Sequence, residues 1–276
     1  MELTKEKNLS RLNRDKADNP LSFSPVLTGF FTTVTELSLF SLRFFKEVFV
    51  PPYEFAEVKK HMDELGIKTM PIVTVTGFII GLVLAMQSQP VMARFGAESY
   101  LPSIVALSVI RELGPVLTAL IFAGRVSSGI GAELGSMRVT EQIDAMEVSA
   151  INPYKFLVVT RILACTLILP ILTCYVDFLA LIGGWIAVFL STGTSFILYN
   201  NAVFHSLQFS DLIPGMLKTF VFGFIVGAVG AYKGYNASNG TVGVGKASTS
   251  SVVTASLLIL LVDMVLVKVT VWLWTS

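Results

Sequence analysis

Five long apolar stretches constrain the fold of this 276-residue chain more than any other feature. Each has about 20 residues or more, the length that a helix needs to cross the hydrocarbon core of a bilayer. The stretches are Pro71 to Phe95, Leu101 to Ala123, Phe156 to Leu190, Leu212 to Tyr232 and Val252 to Trp274. The third is longer than the bilayer requires, so we expect it to tilt or to protrude. The pattern predicts an all-α integral membrane protein with five transmembrane helices.

The distribution of charge divides the chain. Charged residues make up 14% of the sequence, whereas a soluble domain normally carries about a quarter. Most of them lie in residues 1–70 and 125–161. Residues 1–20 mix both signs of charge and lack the apolar core of a secretory signal peptide. We therefore expect a disordered cytosolic tail over 1–23, an interfacial helix and cytosolic elbow over 24–70, and a transmembrane domain over 71–276.

The segment after Ser24-Pro25 has two faces. A serine followed by proline is typical of a helix start, and from Leu27 to Val48 apolar residues recur at helical spacing opposite Thr, Glu, Arg and Lys. Such an amphipathic helix lies in the membrane interface. A weak transmembrane helix is the alternative. Pro51-Pro52 ends this helix, and the charged stretch from Glu54 to Lys68 is expected to stay in the cytosol.

Lys and Arg residues indicate the orientation. They collect in 1–70, 124–155 and 233–250, whereas 191–210 has none and 94–100 has one. Because positively charged loops stay in the cytoplasm, the N-terminus is predicted to be cytosolic and the C-terminus to lie outside. Trp272 and Trp274 fit the outer interfacial belt.

Several kinds of site are not indicated. His61 and His205 are isolated, which predicts no metal site. Cys165 and Cys174 would lie roughly 13 Å apart on one helix, too far for a disulfide. A net charge of +1 without a basic face argues against nucleic-acid binding.

The segment Gly240 to Lys246 has the spacing of a phosphate-binding loop as far as its lysine. The next residue is Ala247, where such a loop needs Ser or Thr for magnesium. The segment also joins two membrane helices instead of following a strand. We expect a flexible cytosolic loop rich in Gly, Ser and Thr.

Four charged residues fall within apolar stretches. Arg111 and Glu112 lie in the second, Lys218 in the fourth and Asp263 in the fifth. Each would cost several kcal/mol if it faced lipid, so these side chains should face inward and pair. The pairs either lock the helices together or form a polar element coupled to opening of a transport path. Lys268 lies near the outer end, where its side chain can reach the interface.

The segment between the second and third crossings combines charged and apolar residues. Gly124 to Pro153 interleaves the carboxylates of Glu133, Glu141, Asp144 and Glu147 with isoleucine, leucine and methionine. This pattern predicts one or two short amphipathic helices to which a partner binds.

Residues 106–161 resemble the permease family of bacterial MCE lipid transporters, known as MlaE or YrbE. The matching stretches are Ala106-Leu107-Ser108, Arg111-Glu112-Leu113-Gly114-Pro115-Val116, Phe122-Ala123-Gly124-Arg125, Ala132-Glu133-Leu134-Gly135, Met137-Arg138, Thr140-Glu141-Gln142 and Met146-Glu147. Weaker similarity extends over about 25–275.

This resemblance implies a complex in the cell inner membrane. Two permease copies, expected to be a homodimer, bind two cytosolic ABC ATPases and a periplasmic MCE-domain protein, and the complex moves phospholipid. ATP and magnesium would be bound by the ATPase, so this chain would have no cofactor and no catalytic residue.

The resemblance also implies roles for residues. The family's intramembrane charges match Arg111, Glu112, Lys218 and Asp263. A cytosolic coupling helix between the second and third crossings matches Gly135 to Ser149, where ATPase coupling falls on Arg138, Glu141, Asp144, Met146 and Glu147. The family's lipid pocket matches Leu84, Val91, Met92 and Phe95, which also share a helical face by spacing. Pro90 departs from the family pattern within that stretch and could kink the helix.

Two other functions remain open at the level of sequence. A secondary transporter could be driven by protons through Glu112 or Asp263, although five crossings fit poorly with inverted repeats. The second alternative is a membrane anchor that holds a complex without transporting anything. That function would leave the buried charges without a role.

Overall fold

The computed structural model describes residues 25–51, 53–238 and 240–274. The predicted tail over 1–23 lies outside the described residues. The described part of the chain is helical and contains no strand. Its helices, labelled here in chain order, are α1 (Pro25–Glu47), α2 (Phe55–Arg94), α3 (Glu98–Val139), α4 (Gln142–Val148), α5 (Tyr154–Thr192), α6 (Phe196–Ser206), α7 (Phe209–Tyr235) and α8 (Gly240–Trp274).

Five of these helices are long and apolar enough to cross a membrane: α2, α3, α5, α7 and α8. The predicted all-α membrane fold with five crossings is therefore confirmed. The helices extend beyond the apolar stretches from which they were predicted. One large extension is in α2, whose 40 residues include both the charged segment before Lys68 and the prolines Pro71 and Pro90. At 1.5 Å per residue α2 is about 60 Å long, so it projects well beyond a hydrocarbon core of about 30 Å.

The expectation of a flexible loop at Gly240 to Lys246 is wrong. Gly240 is the first residue of α8, which continues without interruption to Trp274. Side chains two to three turns further along α8 are bound to α3: Ser248 shares a hydrogen bond of 2.8 Å with Ser128, and the Ser251 hydroxyl donates to the Ser127 carbonyl at 2.9 Å. Packing of small residues against a neighbouring helix has overcome a composition that favours loops.

The third crossing, α5, is central. In its most apolar window 67% of residues are buried, against 11% in the corresponding window of α8. Small residues allow α2 to approach α5 closely, through the Gly77-x-x-x-Gly81 motif typical of membrane helix pairs. A Cβ atom at Gly81 would overlap the backbone of Ala180, and one at Gly183 would overlap the backbone of Phe78. These backbones touch only because both positions are glycine.

The second crossing, α3, is interrupted by two π-helical turns, at Val109–Leu113 and Ala123–Ser127. The first carries Arg111 and Glu112, and the second carries Arg125. Such turns are rare in proteins, and those that occur are often found at functional sites. Arg111, Glu112 and Arg125 therefore lie where the helical register of α3 changes.

Helix α1 begins at Pro25, and its placement in the membrane interface stays a prediction. The described chain forms two compact units that divide within α1, between Leu42 and Arg43. Within the second unit, the Arg43 guanidinium lies 4.2 Å from the centre of the Tyr154 ring, and the ring of Phe44 contacts that of Phe224. These contacts join the last residues of α1 to α5 and α7.

Candidate functional site

Three membrane helices share one buried cation. The Nζ atom of Lys218 on α7 lies 2.7 Å from Oε2 of Glu112 on α3 and 3.2 Å from Oδ1 of Asp263 on α8. The side chain of Lys218 is 5% exposed, that of Asp263 13% and that of Glu112 39%. The structure thus brings together three of the four charged residues singled out in the sequence. We call Glu112, Lys218 and Asp263 the shared-cation cluster.

The three members of the cluster depend on one another unequally. An ammonium inside the membrane is costly unless carboxylates neutralise it, and removing one partner of a buried pair leaves an uncompensated charge. Here a single cation is surrounded by two carboxylates. Lys218 therefore keeps a partner when one carboxylate moves away, whereas loss of Lys218 would leave two negative groups facing each other.

The fourth residue, Arg111, has a different partner. Its guanidinium forms an ion pair with Asp211, and its Nε atom lies 2.9 Å from Oδ1 of that residue. Because neighbouring helical residues point about 100° apart, Arg111 and Glu112 face different groups. The other carboxylate oxygen of Asp211 accepts the backbone N–H of Gln208 at 3.0 Å, completing a capping box at the start of α7.

Asp211 was missed because it lies one residue before the fourth apolar stretch as read from the sequence. The pair Gln208-x-x-Asp211 departs from the usual capping-box pattern of Ser or Thr followed three residues later by Glu or Gln, so this helix start has no standard sequence signal. Asp177, in the middle of α5, was also missed although its carboxylate interrupts an apolar stretch. It is buried, and its Oδ1 atom has no hydrogen-bond partner among the described residues.

A cavity of about 330 Å³ joins the two ion-paired groups. Charged side chains from both groups line it, together with apolar residues of α8; among them are Arg111, Glu112, Asp211, Lys218, Val267 and Val271. At one wall of the cavity, α7 packs closely against α3. A Cβ atom at Gly215 would lie only 2.6 Å from the carbonyl oxygen of Ile110. The cavity can therefore hold both a polar and an apolar group, and it lies beside the first π-helical turn of α3.

The four positions matched to a lipid pocket fall into two pairs. Leu84 and Met92 are half-buried and pack against a buried cluster that includes Ala85 and Tyr199. Val91 and Phe95 are exposed, Phe95 to 79%. Within one chain, only this second pair is open to a lipid or to another protein surface. Pro90 lies inside α2, four residues before its end.

The short helix α4 follows a sharp turn after α3. Glu141, in the turn, has a left-handed backbone with a φ of 59°, and Ile143 is fully buried, which fixes α4 to the bundle. Arg138 at the end of α3 forms an ion pair with Asp144. Glu141 and Glu147 are exposed and Met146 is half-buried. This end of the protein thus presents carboxylates on a helix with an anchored inner face.

These features together define a class, a multi-pass helical membrane protein whose crossings are joined by buried ion pairs. Comparison with known proteins is more specific. Residues 58–269 match the family model described as Permease MlaE. The match spans both ion-paired groups and α4. The chain therefore belongs to the MlaE permease family, and the resemblance seen in the sequence is confirmed.

Individual relatives agree with this assignment. A probable ABC transporter permease protein of Rickettsia felis is 39% identical over 232 residues, covering 84% of this chain and 90% of that protein. A probable ABC transporter permease protein of Synechocystis is 36% identical over 200 residues, covering 72% and 76%. The intermembrane phospholipid transport system permease protein MlaE of Haemophilus influenzae is 34% identical over 221 residues, covering 78% and 83%.

Proposed function

We propose that this chain is the membrane subunit of an ATP-driven transporter that moves phospholipid between the inner membrane and a periplasmic MCE-domain protein. The shared-cation cluster carries the proposal: a buried ammonium binds carboxylates of two other crossings at the wall of a cavity. The Haemophilus influenzae relative, an intermembrane phospholipid transport system permease protein, supports phospholipid as the substrate.

The cluster is suited to a helix bundle that changes shape. Lys218 is held from two sides, so α3 or α8 can shift relative to α7 without leaving the ammonium unpaired. Glu112 is the more exposed carboxylate, so its bond to Lys218 is the one that water or a polar headgroup can replace. An element with two alternative pairings can couple distant sites.

Helix α3 supplies a mechanical link to an ATPase. It runs from the first π-helical turn at Arg111 to Val139, about 40 Å of helix, and α4 follows directly. We infer that the ATPase docks on α4 through Glu141, Asp144 and Glu147, with Arg138 and Met146 shaping the surface. The exposed apolar side chain of Val148 adds to this surface. ATP and magnesium would be held by the ATPase, so movement would reach the cavity along α3.

A second copy of the chain would cover the exposed crossings. Helices α2 and α8 bury the smallest shares of their apolar windows, 28% and 11%. In a homodimer, Val91 and Phe95 of α2, with Leu84 and Met92 behind them, would line a shared apolar surface for acyl chains. Burial of each methylene contributes about 0.8 kcal/mol, so such a surface can compete with the bilayer for a lipid.

Orientation follows from the distribution of Lys and Arg. The N-terminus and α4 would lie in the cytosol and the C-terminus in the periplasm. The cavity beside Gln208 and Thr270 would then face the periplasmic half of the membrane, where an MCE-domain partner could receive or deliver lipid.

Purification of the complex tests this proposal. A tag on the full-length chain should retrieve an ABC ATPase and an MCE-domain protein from native membranes, with two copies of the chain and bound phospholipid detected by native mass spectrometry. Retrieval of the chain without an ATPase, together with solute uptake driven by a proton gradient, would favour a secondary transporter. If the chain retrieves its partners but no bound lipid, and the complex transports nothing, the chain is better explained as a membrane anchor of that complex.

A further inference from the structure

A second charged cavity, of about 240 Å³, lies at the Arg125 end of the bundle. It is formed by α2, α3 and α5, and its lining includes His61, Lys68, Arg125, Gly129, Glu133 and Arg161. The apolar part of α2 begins after Lys68, and that of α3 ends before Gly124. The cavity therefore lies where membrane helices pass from hydrocarbon into the headgroup region, far from the shared-cation cluster along α3.

The cavity has one positive charge in excess. Its lining contains the cations Lys68, Arg125 and Arg161 and the carboxylates Glu64 and Glu133. Lys68 forms an ion pair with Glu64, and Arg161 pairs with Glu133 at 2.7 Å. Among the described residues, Arg125 donates to a neutral group, the Thr69 hydroxyl, at 2.8 Å. In the part of the chain that the structure describes, no carboxylate forms an ion pair with Arg125.

A buried arginine lies behind Arg125 in the same lining. Arg161 is 4% exposed and donates from Nη1 to the Leu157 carbonyl at 2.9 Å. Its Nε atom is buried without a hydrogen-bond partner among the described residues. A buried donor left unpaired is costly, so the lining retains capacity for an acceptor from outside the chain.

The chemistry of these groups selects a phosphate. Guanidinium groups present planar sets of donors that match phosphate oxygens. A phosphodiester carries one negative charge, equal to the excess at Arg125. Leu65, Val126 and Ile130 supply apolar wall next to the charged groups, which suits a phosphate attached to glycerol and acyl chains.

We propose that this cavity binds the phosphate of a phospholipid from the leaflet at the Arg125 end of the bundle. Arg125 is the principal ligand and Arg161 supports it from the buried side. The second π-helical turn of α3, Ala123–Ser127, sets the direction of the Arg125 side chain. This site is separate from the transport cavity and does not depend on the transport function proposed above.

The test compares two glycine variants of the full-length chain in detergent. A Cβ atom at Gly129 meets nothing within 4 Å, and Gly129 lines the cavity, so Gly129→Leu should narrow the cavity without a clash at its Cβ atom. A Cβ atom at Gly245 on α8 is equally unobstructed, but Gly245 is not part of the lining, so Gly245→Leu is the matched control. Leucine favours helix over glycine at both positions, so both variants should fold.

Binding is measured by native mass spectrometry with phosphatidylglycerol, with a diacylglycerol of the same acyl chains, and with inorganic phosphate. We expect Gly129→Leu and Arg125→Gln to bind phosphatidylglycerol about tenfold more weakly than the wild type, Gly245→Leu to bind it normally, and Arg125→Lys to fall between. Diacylglycerol should bind weakly to all variants.

Equal phosphatidylglycerol binding by the two glycine variants would overturn the proposal. Displacement of the lipid by an equimolar amount of inorganic phosphate would show a site for free anions and would also overturn it. If the purified complex with its ATPase loses the lipid that the chain alone binds at this site, the cavity receives a group of the partner protein and the assignment to lipid is wrong.

Discussion

Lys218 on α7 and Asp263 on α8 are joined across two adjacent crossings, with 3.2 Å between Nζ and Oδ1. Glu112 contacts the same ammonium from α3 at 2.7 Å. The ammonium is therefore shared, and the two carboxylates are not equivalent, because Asp263 is the more deeply buried. The consequences of removing each group differ, and they can be measured.

Replacement of the cation should be more damaging than replacement of either carboxylate. Lys218→Met leaves Glu112 and Asp263 facing each other, and we expect a loss of about 3–5 kcal/mol in stability. Asp263→Asn leaves Lys218 paired with Glu112 and should cost less. The thermal midpoint of the purified chain, followed by tryptophan fluorescence, gives the comparison. If the two variants lost the same amount of stability, Lys218 would not be shared between the two carboxylates.

The double variant Lys218→Met with Asp263→Asn measures the coupling between these residues. Because the first change removes the charge that the second carboxylate neutralises, the combined loss should be smaller than the sum by about 0.5–3 kcal/mol. Simple additivity would contradict a direct interaction.

The pair of Arg111 and Asp211 should behave as a separate unit. Asp211→Asn removes the charge that neutralises Arg111 but keeps an oxygen that can accept the Gln208 N–H. We expect Asp211→Asn to cause a moderate loss of stability. Combined with Arg111→Met, the loss should be smaller than the sum of the two single losses; combined with Asp263→Asn, the two losses should add. If the coupling free energy between Asp211 and Asp263 were as large as that between Asp211 and Arg111, the five charged residues would form one network.

Docking on α4 predicts a selective loss of the ATPase. Glu147→Lys reverses an exposed charge that makes no ion pair in the described residues, so it should detach the ATPase without affecting folding. Asp144→Lys should do the same and also break the ion pair with Arg138. Glu98→Lys, an exposed charge reversal at the other end of α3, is the control. Normal ATPase recovery with both α4 variants would place the docking surface elsewhere.

The lipid path can be examined by photo-crosslinking from α2. A photoreactive residue at Val91 or Phe95 should capture phospholipid selectively, whereas one at Met86, which is exposed on another face of α2, should capture lipids in their bulk proportions. Mass spectrometry of the adducts distinguishes these outcomes. Identical lipid profiles at all three positions would mean that this face of α2 only contacts the bilayer.

Sequence alone could predict the number of crossings because each apolar stretch meets the length that a bilayer demands. It could also predict that Lys218 and Asp263 face inward, because an unpaired charge in lipid is costly. The partner of Arg111 was beyond it, because Asp211 lies outside the apolar stretches and only the fold brings it next to Arg111. The helix at Gly240 was mispredicted for a related reason: contacts from Ser127 and Ser128 decide its conformation, and local composition does not.

The account as a whole is tested most directly by lipid movement in proteoliposomes that contain the complex purified through this chain. We predict that transfer of a fluorescent phospholipid to the periplasmic partner requires ATP, is unaffected by dissipating the proton gradient, and falls at least tenfold in the Lys218→Met complex at equal protein content. Transfer that persists without ATP and follows an imposed proton gradient would contradict the account.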